Sequence, residues 1–150
     1  MLEQEQTLFT GDHVMQGSTV VINPPDGNMV AYLAALQALL EEPLQWLAPG
    51  HGFLVEQPHQ VLRDLIAHRM KRHAKVAAAL QRAGSATLDE LLPVVYDDVA
   101  PHLYGMARRS LLAHVLKLQH DGQARALGLG DGDAGAELWR WHWVAKGWRE

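Results

Sequence analysis

Two short stretches of the 150-residue chain combine residue types that can hold a metal ion: Gly11-Asp12-His13 and, further on, Pro49-Gly50-His51-Gly52. A carboxylate and an imidazole nitrogen are both ligands for zinc or manganese, and a carboxylate can bridge two ions. Asp12 stands after a glycine at the predicted end of a strand. His51 has a glycine on either side, which lets the backbone approach a ligand closely and leaves the ring free to point out of a strand end. The same residues have a plainer use, Asp12 capping a turn and His51 serving as a polar loop residue, and spacing alone does not separate the two readings. With no cysteine in the chain there is no disulfide framework, thiolate site or cysteine nucleophile, so a metal would be held by His and carboxylate. HExxH, Gly-x-Ser-x-Gly and a phosphate-binding glycine loop are also missing, which leaves zincin, serine hydrolase and nucleotide-binding chemistry without support. His68 and His73 are about 140° apart around a helix and share no face, and His102, His114, His120 and His142 show no ligand spacing.

Several elements must position these residues. Strands are predicted over 7–10 and over the β-branched run Thr19-Val20-Val21-Ile22. Met29, Leu33, Leu36 and Leu40 recur at helical spacing and predict a helix over 29–42, closed before Pro43. Trp46-Leu47-Ala48 is a short strand leading into the His51 loop. The longest predicted helix covers 58–83, with Leu62, Leu65, Ile66, Met70, Ala77 and Leu80 on its apolar side and Arg63, Arg69, Lys71, Arg72, Lys75 and Arg82 elsewhere. Thr87-Leu88-Asp89-Glu90 reads as a capping box opening a helix shortened by Pro93, and 105–120 as a further helix ended at Gly122. Residues 123–127 and 138–143, separated by a Gly/Asp-rich turn over 128–135, make a hairpin. Trp139, Trp141 and Trp143 share one face of it and pack on the helices, with Trp148 beyond. Three helices followed by a hairpin is the order of a winged helix-turn-helix.

Composition bounds the reading. At 48% apolar and 20% charged residues the chain should fold as one or two compact units, which excludes disordered and collagen-like classes. No apolar run approaches the roughly 20 residues of a membrane span and no basic stretch leads into an apolar one, so a soluble cytoplasmic protein without membrane partners is expected. Charge is uneven: residues 1–56 hold seven acids and no Lys or Arg, while all thirteen basic residues lie from Arg63 onward. This break, near Pro58, divides the chain into 1–57, a connecting basic helix 58–83, and a winged-helix-like domain 84–150. Arg69, Arg72 and Lys75 on the basic helix, with Arg108 and Arg109 on the last helix, could track nucleic-acid phosphates. The plainer reading is a solvated face, and Asp97, Asp98 and Asp121 close by argue against a dedicated DNA binder.

Leu8-Phe9-Thr10-Gly11-Asp12-His13, Ser18-Thr19-Val20, Pro24-Pro25-Asp26-Gly27, Ala48-Pro49-Gly50-His51-Gly52 and Ala67-His68-Arg69, together with the winged-helix-like tail, resemble the C-terminal half of a metallo-β-lactamase-fold hydrolase. The resemblance is to the branch of the lactamase-like endoribonucleases and their relatives, the hydroxyacylglutathione hydrolases. It implies an α/β (α+β) fold: the C-terminal part of an αββα sandwich, then a winged-helix-like three-helix domain with a β-hairpin. It also implies that Asp12 bridges two metal ions and His51 ligates the second, with His13 structural. The ions would be zinc, with manganese or iron in the same role. Two such ions activate water and clamp the substrate oxygen while an ester, thioester or phosphodiester of a small molecule or RNA is hydrolysed. The family's HxHxDH motif is absent here, and two ligands fall short of the three that a catalytic zinc takes. The resemblance therefore implies either a C-terminal fragment that is inert without an N-terminal half of the same enzyme or a truncated relative that kept the tail and lost the chemistry. The alternative is a non-catalytic winged-helix module that binds RNA, DNA or a protein. Strands at 7–10 and 19–22 lacking their usual neighbours would leave open edges, so self-association is expected.

Overall fold

The computed structural model describes residues 1–17, 19–127 and 139–145. Packing divides the chain into two compact units, one of Met1–Val21 and Ala31–Met70, the other of Ile22–Val30 and Lys71–Glu150. Ser18, the turn at 128–135, Leu138 and Trp148 lie outside the described residues.

In the first unit, strand β1 (Thr7–Gly11) pairs in parallel with β2 (Trp46–Pro49), with Leu8 opposite Leu47 and Gly11 opposite Pro49. A parallel pair needs a crossover, and helix α1 (Met29–Leu39) lies within that connection. Its buried residues Met29, Tyr32, Leu33 and Leu36 recur at the i, i+3, i+4, i+7 spacing of one helical face. The helix stops three residues short of the predicted end. The N–H groups of Leu40, Glu41 and Glu42 donate to Gln37, Ala38 and Leu39, three residues back, so the last turn tightens before Pro43.

The strand predicted over 19–22 does not form. A β-branched run becomes a strand only with a ladder to join, and none of the described strands pairs with it. The carbonyl of Val20 is instead taken by the guanidinium of Arg69.

Helix α2 (Pro58–Ala83) matches its predicted span and opens on a proline, whose fixed φ and missing N–H suit the first helical position. Its inward face differs from the prediction. The buried residues are Leu62, Leu65, Arg69, His73, Val76, Ala79 and Leu80, while Met70 is 41% exposed. The 3–4 spacing through 62, 65, 69, 73, 76 and 80 fixes this face, and two polar residues sit on it where an apolar count alone would place Met70.

The second unit builds its core from Val76, Leu80, Leu88, Leu91, Leu92, Val95, Leu111, Val115, Leu118 and Trp141, among others. Helix α3 (Leu88–Val95) opens on the predicted capping box, with Thr87 Oγ1 accepting from Glu90 N–H and the Glu90 carboxylate accepting from Thr87 N–H. A short 3₁₀ turn (Pro101–Leu103) leads into α4 (Tyr104–His120), and Gly122 takes φ +70° just past its end. The predicted two-stranded hairpin is a three-stranded antiparallel sheet. Strand β3 (Ser85–Thr87) lies on one side of β5 (Arg140–Trp143) and β4 (Ala124–Leu127) on the other. Three residues carry too little pattern to be seen in sequence, and β3 exists because β5 offers it a ladder. Trp141 is fully buried, and Trp139 and Trp143 pack beside it on the helical core, as the shared face predicted.

His73 and His114 are both buried in this unit, their rings 5.6 Å apart. His73 Nδ1 has no hydrogen-bond partner among the described residues, and Nε2 is 3.9 Å from the Asp121 carboxylate. Burial, and then the Lys117 charge, lower the His73 imidazole below its ordinary value, with Asp121 opposing. The unfolded chain therefore takes up the proton more readily than the folded one. The His73 contribution to stability is present above the ordinary histidine range and is lost as pH falls through and below about 6.5. Urea midpoints measured between pH 8 and 5 are expected to drop across that interval, with a shallower drop in His73→Gln.

Candidate metal centre

Asp12 follows β1 and His51 follows β2, so the parallel register that sets Gly11 beside Pro49 delivers both side chains to the same end of the two strands. Asp12 Oδ1 and His51 Nε2 are 3.5 Å apart, and the two side chains are 68% and 78% exposed. That separation is long for a hydrogen bond. Two donors each about 2.0–2.1 Å from one tetrahedral zinc ion lie about 3.4 Å apart, so the spacing suits a shared ion better than a direct bond. The donor chemistry, one hard carboxylate and one imidazole, fits a divalent metal. Among the described residues no group of three or more His, Cys, Asp or Glu side chains is placed to hold a metal, so this chain offers two donors.

Side-chain and backbone bonds join the two loops. Gly50 N–H donates to Gly11 O at 2.8 Å, and Phe53 N–H donates to Gln16 Oε1 at 2.7 Å. The glycines beside His51 are what this closeness requires. A Cβ on Gly50 would lie 3.0 Å from Asp12 Oδ1 and 3.2 Å from Gly11 C, and one on Gly52 would lie 2.8 Å from Gln16 Cβ. Gly52 also holds φ +99°, a conformation L side chains rarely adopt. Gly52→Ala is expected to destabilise the chain by about 1–3 kcal/mol in urea unfolding and to speed amide exchange at Phe53, whose bond to Gln16 the new methyl group displaces.

Behind Asp12 the chain is anchored inward. Thr10 Oγ1 donates to Val14 O at 2.9 Å, and Tyr32 Oη donates to His13 O at 3.3 Å. The His13 ring lies 4.8 Å from that of Tyr32 and is half-buried, and burial lowers its imidazole below the ordinary value. His13 is thus held against α1 while Asp12 faces solvent. Burial raises the Tyr32 phenol above its ordinary value, with Arg69 pulling the other way, so the hydroxyl is a neutral donor at neutral pH. Gln16 and Tyr32 had no place in the sequence reading of the site. Tyr32 carried a signal: a tyrosine within a buried apolar stripe needs a partner for its hydroxyl.

The cations considered for nucleic acid are dispersed. Arg69 is 5% exposed, donates to Val20 O and lies 5.5 Å from the Tyr32 ring centroid. Arg72 makes a bidentate pair with Asp98, at 2.8 and 2.9 Å, and lies over the Tyr96 ring. The Arg72 bond holds the Asp98 carboxyl down at about 2. Lys75 pairs with Asp97, and Arg108 Nε with Asp89 at 2.7 Å. Arg109 is exposed on α4. No described helix is long and apolar enough to cross a membrane.

Residues 87–134 match the family model described as "Beta-lactamase associated winged helix domain". Among curated proteins the chain is similar to the "Beta-lactamase-like protein 2 homolog" of Drosophila melanogaster, 27% identical over 123 residues, which cover 81% of this chain and 41% of that protein. It is also similar to an "Atrochrysone carboxyl ACP thioesterase" of Aspergillus fumigatus, 25% identical over 138 residues, with 82% and 42% covered. Among solved structures, a metallo-beta-lactamase family protein of Thermus thermophilus superposes with a TM-score of 0.74 at 20% identity, over 95% of this chain and 44% of that one. The chain spans about two fifths of the length of these relatives. Its fold is similar to that of part of a metallo-β-lactamase family protein, and residues 87–134 in its second unit are similar to the beta-lactamase associated winged helix domain.

Proposed function

We propose that this chain contributes Asp12 and His51 as two ligands of a zinc centre that hydrolyses an ester, thioester or phosphodiester. One observation carries the reading: a carboxylate and an imidazole from separate strand ends meet at 3.5 Å, exposed, in loops tied together by two hydrogen bonds. A pair of divalent ions in such a site lowers the pKa of water toward neutrality and stabilises charge on the substrate oxygen. The same donors accept manganese or iron. Asp12 would supply a carboxylate and His51 an imidazole nitrogen to ions held there. Remaining donors come from a segment outside this sequence, the counterpart of the N-terminal half of such an enzyme, and the chain by itself is inert. The name of the Aspergillus relative supports the thioester within this set.

Equilibrium dialysis of the chain against zinc tests the reading. One site, abolished by Asp12→Ala, is expected; binding unchanged by Asp12→Ala would refute it.

A second reading, a winged-helix module binding RNA or DNA, has the exposed Arg109 in its favour. Against it, Arg72, Lys75 and Arg108 are already paired with carboxylates and Arg69 is buried.

A further inference from the structure

Residues 12–17 and 19–22 belong to no described strand, so no ladder among the described residues holds them in place. Beside the turn bond from His13 N–H to Thr10 O, side chains anchor them. Tyr32 Oη grips His13 O near one end, and Arg69 grips Val20 O near the other. The Arg69 guanidinium also lies 5.5 Å from the Tyr32 ring centroid and interacts with the Tyr32 hydroxyl, so the two grips are joined.

Arg69 is an expensive residue in this position. It is 5% exposed and its Nε has no hydrogen-bond partner among the described residues. A charge withdrawn from water without full pairing costs stability, and an apolar residue on the same helical stripe would fill the space at no such cost. A buried cation kept on those terms points to a requirement other than stability. The geometry points to positioning. We infer that Arg69 and Tyr32 form a brace that fixes the backbone of the Asp12 loop, acting as positioning residues for the Asp12–His51 pair. This rests on the reading of that pair as metal ligands. The chemistry is that of residues behind a metal site, which orient the ligands without touching the ion; their loss commonly weakens metal binding by about 10–100-fold.

The test uses the full chain with Tyr32→Phe, Arg69→Met and Arg69→Lys, and Asp12→Ala as reference. Zinc affinity is read by competition with a chromophoric chelator, and the ligand field by the visible spectrum of the cobalt(II)-loaded chain. Tyr32→Phe keeps the ring beneath Arg69 and deletes the hydroxyl's bond to His13 O together with its interaction with Arg69, and it is expected to fold with unchanged circular dichroism. Zinc affinity should fall about 10-fold in Tyr32→Phe and up to about 100-fold in Arg69→Met, with an altered cobalt spectrum in both and partial recovery in Arg69→Lys. Should Arg69→Met fail to fold, Tyr32→Phe decides. A second measurement needs no metal: the ¹⁵N order parameters of Asp12 and His13 should drop in Tyr32→Phe from the rigid value of about 0.85 toward 0.6. Parental affinity, cobalt spectrum and order parameters in Tyr32→Phe would overturn the brace. Lowered order parameters with binding that even Asp12→Ala leaves intact would uphold the brace as a hold on the loop and refute the metal-ligand reading.

Discussion

Replacing His51 with alanine is expected to weaken zinc binding by at least about 100-fold, because loss of a direct ligand should exceed the 10–100-fold that supporting residues cost. The residue is exposed and its loop is tied down by backbone bonds from Gly50 and Phe53, so the substitution should leave the fold intact. Asp12→Ala should do the same, and the double variant should be little worse than either single one, since ligands of one ion act as a unit. Joined to segments that complete the ligand set, the His51→Ala chain should lose most hydrolytic activity along with its metal. Chelator competition on the three variants provides the cycle. Independent, additive losses would mean that the two side chains do not share an ion. His59, whose Nε2 bonds the Glu42 carbonyl at 2.9 Å, is a suitable control and should titrate zinc as the parent does when changed to Gln.

Trp141→Ala is expected to destabilise the second unit by about 3–5 kcal/mol, the range for emptying a fully buried large aromatic site. Trp141 is in the central strand of the wing, opposite Ala86 on β3 and Ala126 on β4. A large ring flanked by two methyl groups is a complementary arrangement, and neither alanine can expand into the vacated volume. The Trp139 ring lies tilted against that of Trp141 with centroids 5.9 Å apart and would lose its neighbour as well. The indole Nε1 is buried without a hydrogen-bond partner among the described residues. Trp141→Phe removes that orphan donor, so it should cost distinctly less than alanine in urea unfolding.

How much of this was legible in the sequence depends on whether the signal was local. Pro58 opening α2, the Thr87–Glu90 capping box and Gly122 past α4 act within a turn of chain, and the structure shows each where the residues put it. The run Thr19-Val20-Val21-Ile22 and the triplet Ser85-Ala86-Thr87 went the other way. The first has strand composition but no partner, and the second has a partner in β5 but little composition, because pairing is a property of the fold. Arg69 shows the same limit on a helix. Six cations on α2 suggested a solvated or phosphate-facing surface, yet the helical phase that buries Leu62 and Leu65 carries Arg69 inward with them. Asp12 and His51 were individually visible as donors. Their meeting was not, since it follows from the parallel register of β1 and β2, and only the family resemblance assigned the two to one metal centre in advance.

Asp12 and His51 are proposed to hold a metal ion together, and long-range ¹H–¹⁵N spectra of the histidine rings read this at the ligand atoms. The chain has nine histidines, each with two resolvable ring nitrogens. On addition of one equivalent of zinc the account predicts a large shift of His51 Nε2 alone, abolished in Asp12→Ala. A shift centred on another histidine, or a His51 shift that persists without Asp12, would contradict it.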